Sequence, residues 1–209
     1  MCCYCLSDGK PCLPLGRTEE AVLRGEEGLS FIIADKMSGP CNKLFLLSGI
    51  REKQLLYDPG LTVGEDMLFV FEYLQGGAVK YIPYGGYHYR QTAGSVSRSA
   101  FKASRMSIFD ALDRIEAEGA PALKGTVRSK RAYTALVSML LLMTSEKKPE
   151  NEKEIRTRLK QMLRGGLKDM MKAPEYSVTE KGAAALVAAS PGLGTALYRM
   201  LFMNRIQNR

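Results

Sequence analysis

Two adjacent carboxylates, Glu65 and Asp66, stand at the head of an apolar segment that runs from Met67 to Leu74 and stops at Gly76-Gly77. Acids at the start, an apolar body and glycines at the end predict a helix over this stretch, with the acidic pair at its N-terminus. There the macrodipole and the unpaired backbone N–H groups favour the ionised carboxylate. An ionised carboxylate that faces a cleft can take a proton from a hydroxyl, while its neighbour holds position or contacts substrate. On the dipeptide alone, a plain first-turn acid is the stronger reading.

His88 is the single histidine of the chain and lies in Tyr87-His88-Tyr89-Arg90, with Ser95 following beyond Thr92 and Gly94. Strand alternation puts His88 and Arg90 on one face and the two tyrosines on the other. An imidazole, a guanidinium and a loop hydroxyl form a set suited to a metal-bound diphosphate, arginine supplying the fixed fork for phosphate oxygens. A partly buried histidine beside a surface arginine is the competing reading, and the sequence alone favours it. No G-x-x-x-x-G-K-[ST], G-x-G-x-x-G after a strand, H-E-x-x-H or G-x-S-x-G occurs. One histidine excludes a His-rich metal centre, and a Ser-His-Asp triad would have to use His88.

The elements that must position these residues divide into two kinds. Residues 1–98 hold most of the glycines and the β-like aromatic runs, whereas 99–209 read as successive amphipathic helices. The expected fold is therefore α/β in the first part, followed by a helical bundle. In the first part, Met1 to Leu6 reads as a core-like strand, Asp8 to Pro11 as a turn, and Glu19 to Arg24 as a helical turn. Asn42 to Ser48 reads as a buried strand or short helix, and Val79 to Ile82 as a strand limited by Pro83. In the second, helices are expected over Phe101 to Glu118, Val127 to Ser145, Glu152 to Lys172, Glu175 to Ala189 and Gly192 to Ile206.

The 209 residues carry 45% hydrophobic residues, enough for a sizeable core and far from the signature of disorder. Thirty Lys and Arg against 22 Asp and Glu give a net charge of +8. The first hundred residues hold 10 basic and 11 acidic side chains, so the whole surplus belongs to the second half. That favours a phosphate-bearing partner: nucleic acid, an anionic membrane face or a phosphate-linked substrate. The five cysteines are odd in number, crowded near one end and without the paired regular spacing of a secreted disulfide scaffold, which points to ordinary thiols in a reducing compartment. Nothing resembles a signal peptide or a membrane-spanning run.

Taken together, Gly39-Pro40-Cys41-Asn42-Lys43-Leu44-Phe45, Tyr57-Asp58-Pro59-Gly60-Leu61, Gly64-Glu65-Asp66-Met67-Leu68-Phe69 and Tyr87-His88-Tyr89-Arg90 through Ser95-Val96-Ser97 resemble the acceptor-side half of family 2 glycosyltransferases. The order and intervals match as well. The resemblance implies a truncated GT-A type mixed-sheet portion over 1–98 and a basic helical domain over 99–209. It implies sugar transfer from a nucleotide-sugar to an acceptor hydroxyl with inversion, in surface polysaccharide or glycan synthesis. Asp66 then resembles the catalytic base and Glu65 its acidic neighbour. His88 resembles a position facing the divalent metal, Mg2+ or Mn2+, and the diphosphate. Arg90 and Ser95 resemble residues near the donor phosphates, and Asn42 and Lys43 match a motif that shapes or lines the cleft.

Such enzymes open with a nucleotide-binding half and an Asp-x-Asp, and no Asp-x-Asp occurs here. The chain is accordingly expected to start just beyond the donor half, as a truncated form or a remnant. The partners implied are a nucleotide-sugar donor and a glycan or lipid-linked acceptor. Peripheral contact with the cytoplasmic membrane face is also implied, and nucleic acid is not expected. The stretch Ala196 to Phe202 fits an interfacial helix, although a bundle helix fits it better. The alternative to an enzyme is a non-catalytic remnant, or a basic helical module that binds nucleic acid or a protein.

Overall fold

The computed structural model describes residues 2–6, 11–12, 18–35, 38–89 and 101–198. The chain is mostly helical, with a small sheet. It divides into two compact units, one formed by Met1–Ser99 with Ser104–Val127 and the other by Ala100–Ala103 with Arg128–Arg209.

The first unit contains all the strands among the described residues: β1 (Cys2–Leu6), β2 (Pro11–Cys12), β3 (Ala21–Arg24) and β4 (Ala78–Tyr89), in the order β2-β1-β4-β3. β3 and β4 are antiparallel, with Ala21 opposite Tyr81 and Arg24 opposite Ala78. β1 runs parallel to β4 and antiparallel to β2. Two expectations change here. Glu19 to Arg24, helical by its Glu, Ala, Leu and Arg content, ends in β3 because pairing with β4 buries Leu23 and leaves Val22 outside. Pro83 does not end the strand. Cys2 pairs with Ile82 and Tyr4 with Tyr87, so β4 carries extra residues between those pairs, and this irregularity accommodates a residue that cannot donate to the ladder.

Helices α1 (Gly25–Ala34), α2 (Leu47–Glu52), α3 (Glu65–Leu74) and α4 (Ser107–Glu118) complete this unit together with the first turn of α5 (Lys124–Thr144). Its core is Phe31, Ile32 and Ile33 from α1, Met67 to Phe71 from α3, and Phe109, Leu112 and Ile115 from α4. Phe31 meets Tyr81 of β4 edge-on, with centroids 5.5 Å apart. The Asn42 to Ser48 stretch leaves a turn at Asn42, has no regular structure over Lys43–Leu46 and enters α2 at Leu47, and its leucines lack the burial expected of them: Leu44 is 98% and Leu46 74% exposed. Only Phe45 turns toward α3, edge-on to Phe69 and Tyr73.

The second unit is built from α5, α6 (Glu152–Lys172), α7 (Val178–Ala189) and α8 (Pro191–Tyr198). Ile155, Leu159, Leu163 and Met170 of α6 are buried at helical spacing, as its sequence pattern predicts. Helix α7 starts later than expected because Ser177 caps it. The Ser177 hydroxyl accepts from the Glu180 N–H, and the Glu180 carboxylate accepts from the Ser177 N–H at 2.8 Å. Tyr176 stacks on Tyr133 at 4.8 Å, and burial pushes its phenol pKa upward.

Candidate active site

Glu65 and Asp66 occupy the first turn of α3, behind Gly64 at φ 98°. Two features of Gly64 exclude a side chain. Its backbone is left-handed, and a Cβ would come within 3.0 Å of Ile108 Cα and 3.1 Å of the Ala111 Cβ on α4. Asp66 Oδ1 accepts from the Met67 N–H at 2.7 Å. Its Oδ2 faces Gly39, where an added Cβ would run into the carboxylate. The glycine of the Gly39-Pro40-Cys41-Asn42-Lys43 motif therefore makes room for the aspartate of the Gly-Glu-Asp motif. Glu65 Oε2 is buried and has no hydrogen-bond partner among the described residues.

The loop over the acids is tied to itself by Lys43. The ammonium donates to the Gly39 carbonyl at 2.6 Å, the Asn42 side-chain oxygen at 3.0 Å and the Cys41 carbonyl at 3.4 Å. Asn42 is buried and sits at φ 63°, a left-handed conformation that asparagine tolerates better than most residues. Both residues thus shape the loop, and the Lys43 donors are directed to it. Cys41 beside them is a free thiol.

Tyr57, which the sequence reading placed in a motif without assigning a role, belongs to the same cluster. Its ring stacks on Phe69 at 4.8 Å. Burial raises the phenol pKa above its ordinary value, and the charges of Asp66, Glu65 and Cys41 raise it further. The phenol thus stays protonated and able to donate.

Helix α4 braces this arrangement. The Ser107 hydroxyl accepts from the N–H groups of Thr62 and Val63, at 3.1 and 2.9 Å, and donates to the Val63 carbonyl at 2.9 Å. Arg114 reaches Asp58 at 2.6 Å and Glu72 at 3.1 Å. Asp58 in turn accepts from the Gly60 N–H at 2.7 Å. The turn between Tyr57 and Glu65 is therefore fixed from α4, a helix expected to belong with the later ones.

A cavity of about 550 Å³ opens beside the loop, between Pro40–Leu44 on one side and Ile82, Tyr84, Gly86 and Tyr87 on the other. Neither carboxylate nor His88 lines it, and the loop over Asp66 is its shared wall. His88 is exposed on β4, opposite Cys5 in the register. Arg90 and Ser95 lie outside the described residues. Among the described residues no three His, Cys, Asp or Glu side chains group to hold a metal. No helix among them is long and apolar enough to cross a membrane.

No protein-family model, no curated protein and no solved structure matches the chain.

Proposed function

We propose that the first unit is the acceptor side of an inverting family 2 glycosyltransferase of GT-A type, acting on a glycan or lipid-linked acceptor with a nucleotide-sugar donor. One observation carries the reading. Two carboxylates at one helix start lie under a self-tied loop, and one of their oxygens, Glu65 Oε2, is buried with no hydrogen-bond partner among the described residues. A buried acceptor atom left unpaired is costly unless something meets it, and a ligand hydroxyl is a fitting donor.

In this reading Asp66 is the base. The Met67 N–H holds Oδ1, which leaves Oδ2 to take the proton from the acceptor hydroxyl. The acceptor's deprotonated oxygen then attacks the anomeric carbon as the bond to the nucleotide diphosphate breaks on the opposite face, which inverts the configuration. Glu65 receives a second hydroxyl of the acceptor, and the protonated Tyr57 phenol donates to an acceptor oxygen. His88, with Arg90 and Ser95, belongs to the donor side. No step is assigned to a divalent metal.

A glycan-array screen of the chain tests the acceptor role, and a transfer assay with uridine and guanosine nucleotide-sugars and Mg2+ or Mn2+ tests the chemistry. Selective retention of some glycans is expected of the chain itself, and transfer is expected once a donor-binding half is joined upstream, with Asp66→Asn abolishing that transfer while circular dichroism is unchanged. Full transfer by that variant would remove Asp66 as base, and failure to retain any glycan would reject the acceptor role.

A further inference from the structure

Along β4 exposure alternates: Ile82, Tyr84 and Gly86 are open, whereas Tyr81, Pro83, Gly85 and Tyr87 are buried or half-buried. Tyr84 is 69% exposed, yet its ring is seated. A Cβ at position 86 would come within 2.7 Å of Tyr84 Cε1 and 2.9 Å of Cδ1. One edge of the ring therefore lies over the glycine, in the space that any other side chain would take. The rest of the ring lines the cavity of about 550 Å³.

That volume falls among small-ligand sites, which run from about 300 to 1,000 Å³. Across from Tyr84 the loop contributes Pro40 and Leu44, and Ile82 and Tyr87 complete mostly apolar walls. Among the described lining residues Lys43 alone carries charge, and its ammonium is directed to Gly39, Cys41 and Asn42. The walls thus suit a neutral ligand better than a phosphate. A pyranose is polar at its rim and presents on its faces C–H bonds made positive by their oxygens, which match the negative face of an aromatic ring. An aromatic side chain already in place loses little entropy on binding. Because the cavity opens to solvent, sugar hydroxyls stay hydrated at its mouth, whereas an alkyl tail there would remain half wet.

The geometry points to a sugar-stacking subsite at Tyr84, in which one pyranose of a neutral glycan packs its C–H face on the ring, between β4 and the Pro40–Leu44 loop. The same loop covers Asp66, so a glycan held in the cavity brings its next residue to the loop's edge. The subsite rests on the acceptor reading of the first unit and deepens it: the acceptor is a neutral oligosaccharide, recognised through a residue other than the one that reacts.

Saturation-transfer NMR of the chain reads the contact, with tetrasaccharides of glucose, galactose, mannose and N-acetylglucosamine and with octyl glucoside as probes. Saturation of ring-face protons is expected for at least one tetrasaccharide. Tyr84→Ala should weaken that binding about tenfold, with thermal unfolding unchanged because the side chain is exposed. Tyr84→Phe, which keeps the ring without its hydroxyl, should retain it, and Gly86→Ala, which displaces the ring edge, should weaken it. No saturation of any tetrasaccharide, saturation confined to the alkyl chain of octyl glucoside, or equal binding by Tyr84→Ala would overturn the subsite. Sugar transfer that is indifferent to Tyr84→Ala, by the chain joined to a donor-binding half, would overturn it while upholding the acceptor reading. Tetrasaccharide binding that Tyr84→Ala removes, with no transfer after joining, would uphold the subsite and remove the transferase reading.

Discussion

Gly39 packs against Asp66 so closely that a Cβ at position 39 would stand 3.1 Å from Asp66 Cγ and nearer still to its Oδ2. Gly39→Ala must therefore displace either the loop or the carboxylate. The expected cost is about 1–3 kcal/mol, as for other overpacked sites, read from urea denaturation. Under the proposed chemistry, transfer should fall further than this loss of stability explains.

Gly64 is constrained twice, by its φ of 98° and by the approach of Ile108. Gly64→Ala should cost roughly 2–4 kcal/mol. Ser107→Ala, which removes one hydroxyl from three hydrogen bonds to Thr62 and Val63, should cost about 1–2 kcal/mol. Because both changes act on the same turn, the double variant should lose less than the two single losses combined, which a double-mutant cycle would reveal.

Burial raises the Glu72 pKa above the ordinary carboxylate range, while Arg114 pulls it back down. A carboxyl with a raised folded-state pKa binds its proton more tightly folded than unfolded. Its contribution to stability is full below the ordinary range and is lost as pH rises through the raised value. Arg114→Met removes the opposing charge and lifts the pKa further. The variant should consequently lose more stability at about pH 7 than at about pH 4, and equal losses would show that Glu72 is insensitive to Arg114.

The Tyr57 phenol reports on the acids. Burial is the largest cause of its raised pKa, and Asp66 is the next. Asp66→Asn removes that negative charge, so the phenol should titrate at lower pH in the variant, still above the ordinary tyrosine value. Tyrosine-selective carbon NMR, assigned with Tyr57→Phe, would follow it. An unmoved titration would place the Asp66 charge too far away to matter.

Cations of α5 and α6 have work inside the second unit. Arg164 and Lys160 hold the C-terminal carbonyls of α7, and Arg128 pairs with Asp169 at 2.8 Å. Arg164→Met should lower stability by about 1 kcal/mol through the lost cap. If the unit were instead a nucleic-acid module, a gel-shift titration at low salt would show binding, with affinity falling steeply as salt is added. No shift at low salt is the expected result.

The long helices were the most legible features, because their apolar positions recur over many turns. Glu152 to Lys172 is found with the boundaries its sequence predicts, and the acids, apolar body and glycines around Glu65 to Leu74 mark α3 correctly. Short segments were not legible. Four residues of β3 carry too little alternation to overcome the helical propensity of Glu19 to Arg24, and only pairing with β4 decides their conformation. The four apolar residues Leu44 to Leu47 looked buried by content, yet Phe45 alone has a partner surface on α3. Within the candidate site, the acids and the Asn42-Lys43 loop were found from motif order. Tyr57, the fit of Gly39 against Asp66, and the brace by Ser107 and Arg114 depend on contacts between distant segments, which local pattern does not encode.

The brace also has a temporal side. Ser107 and Arg114 follow Glu65 and Asp66 in the chain, so during synthesis the two acids leave the ribosome well before the residues that fix their turn. Until α4 emerges, nothing occupies the surface that Gly64 leaves open for Ile108 and Ala111. The nascent first hundred residues consequently carry the two acids without their final geometry, which is reached only after the chain has grown past Glu118.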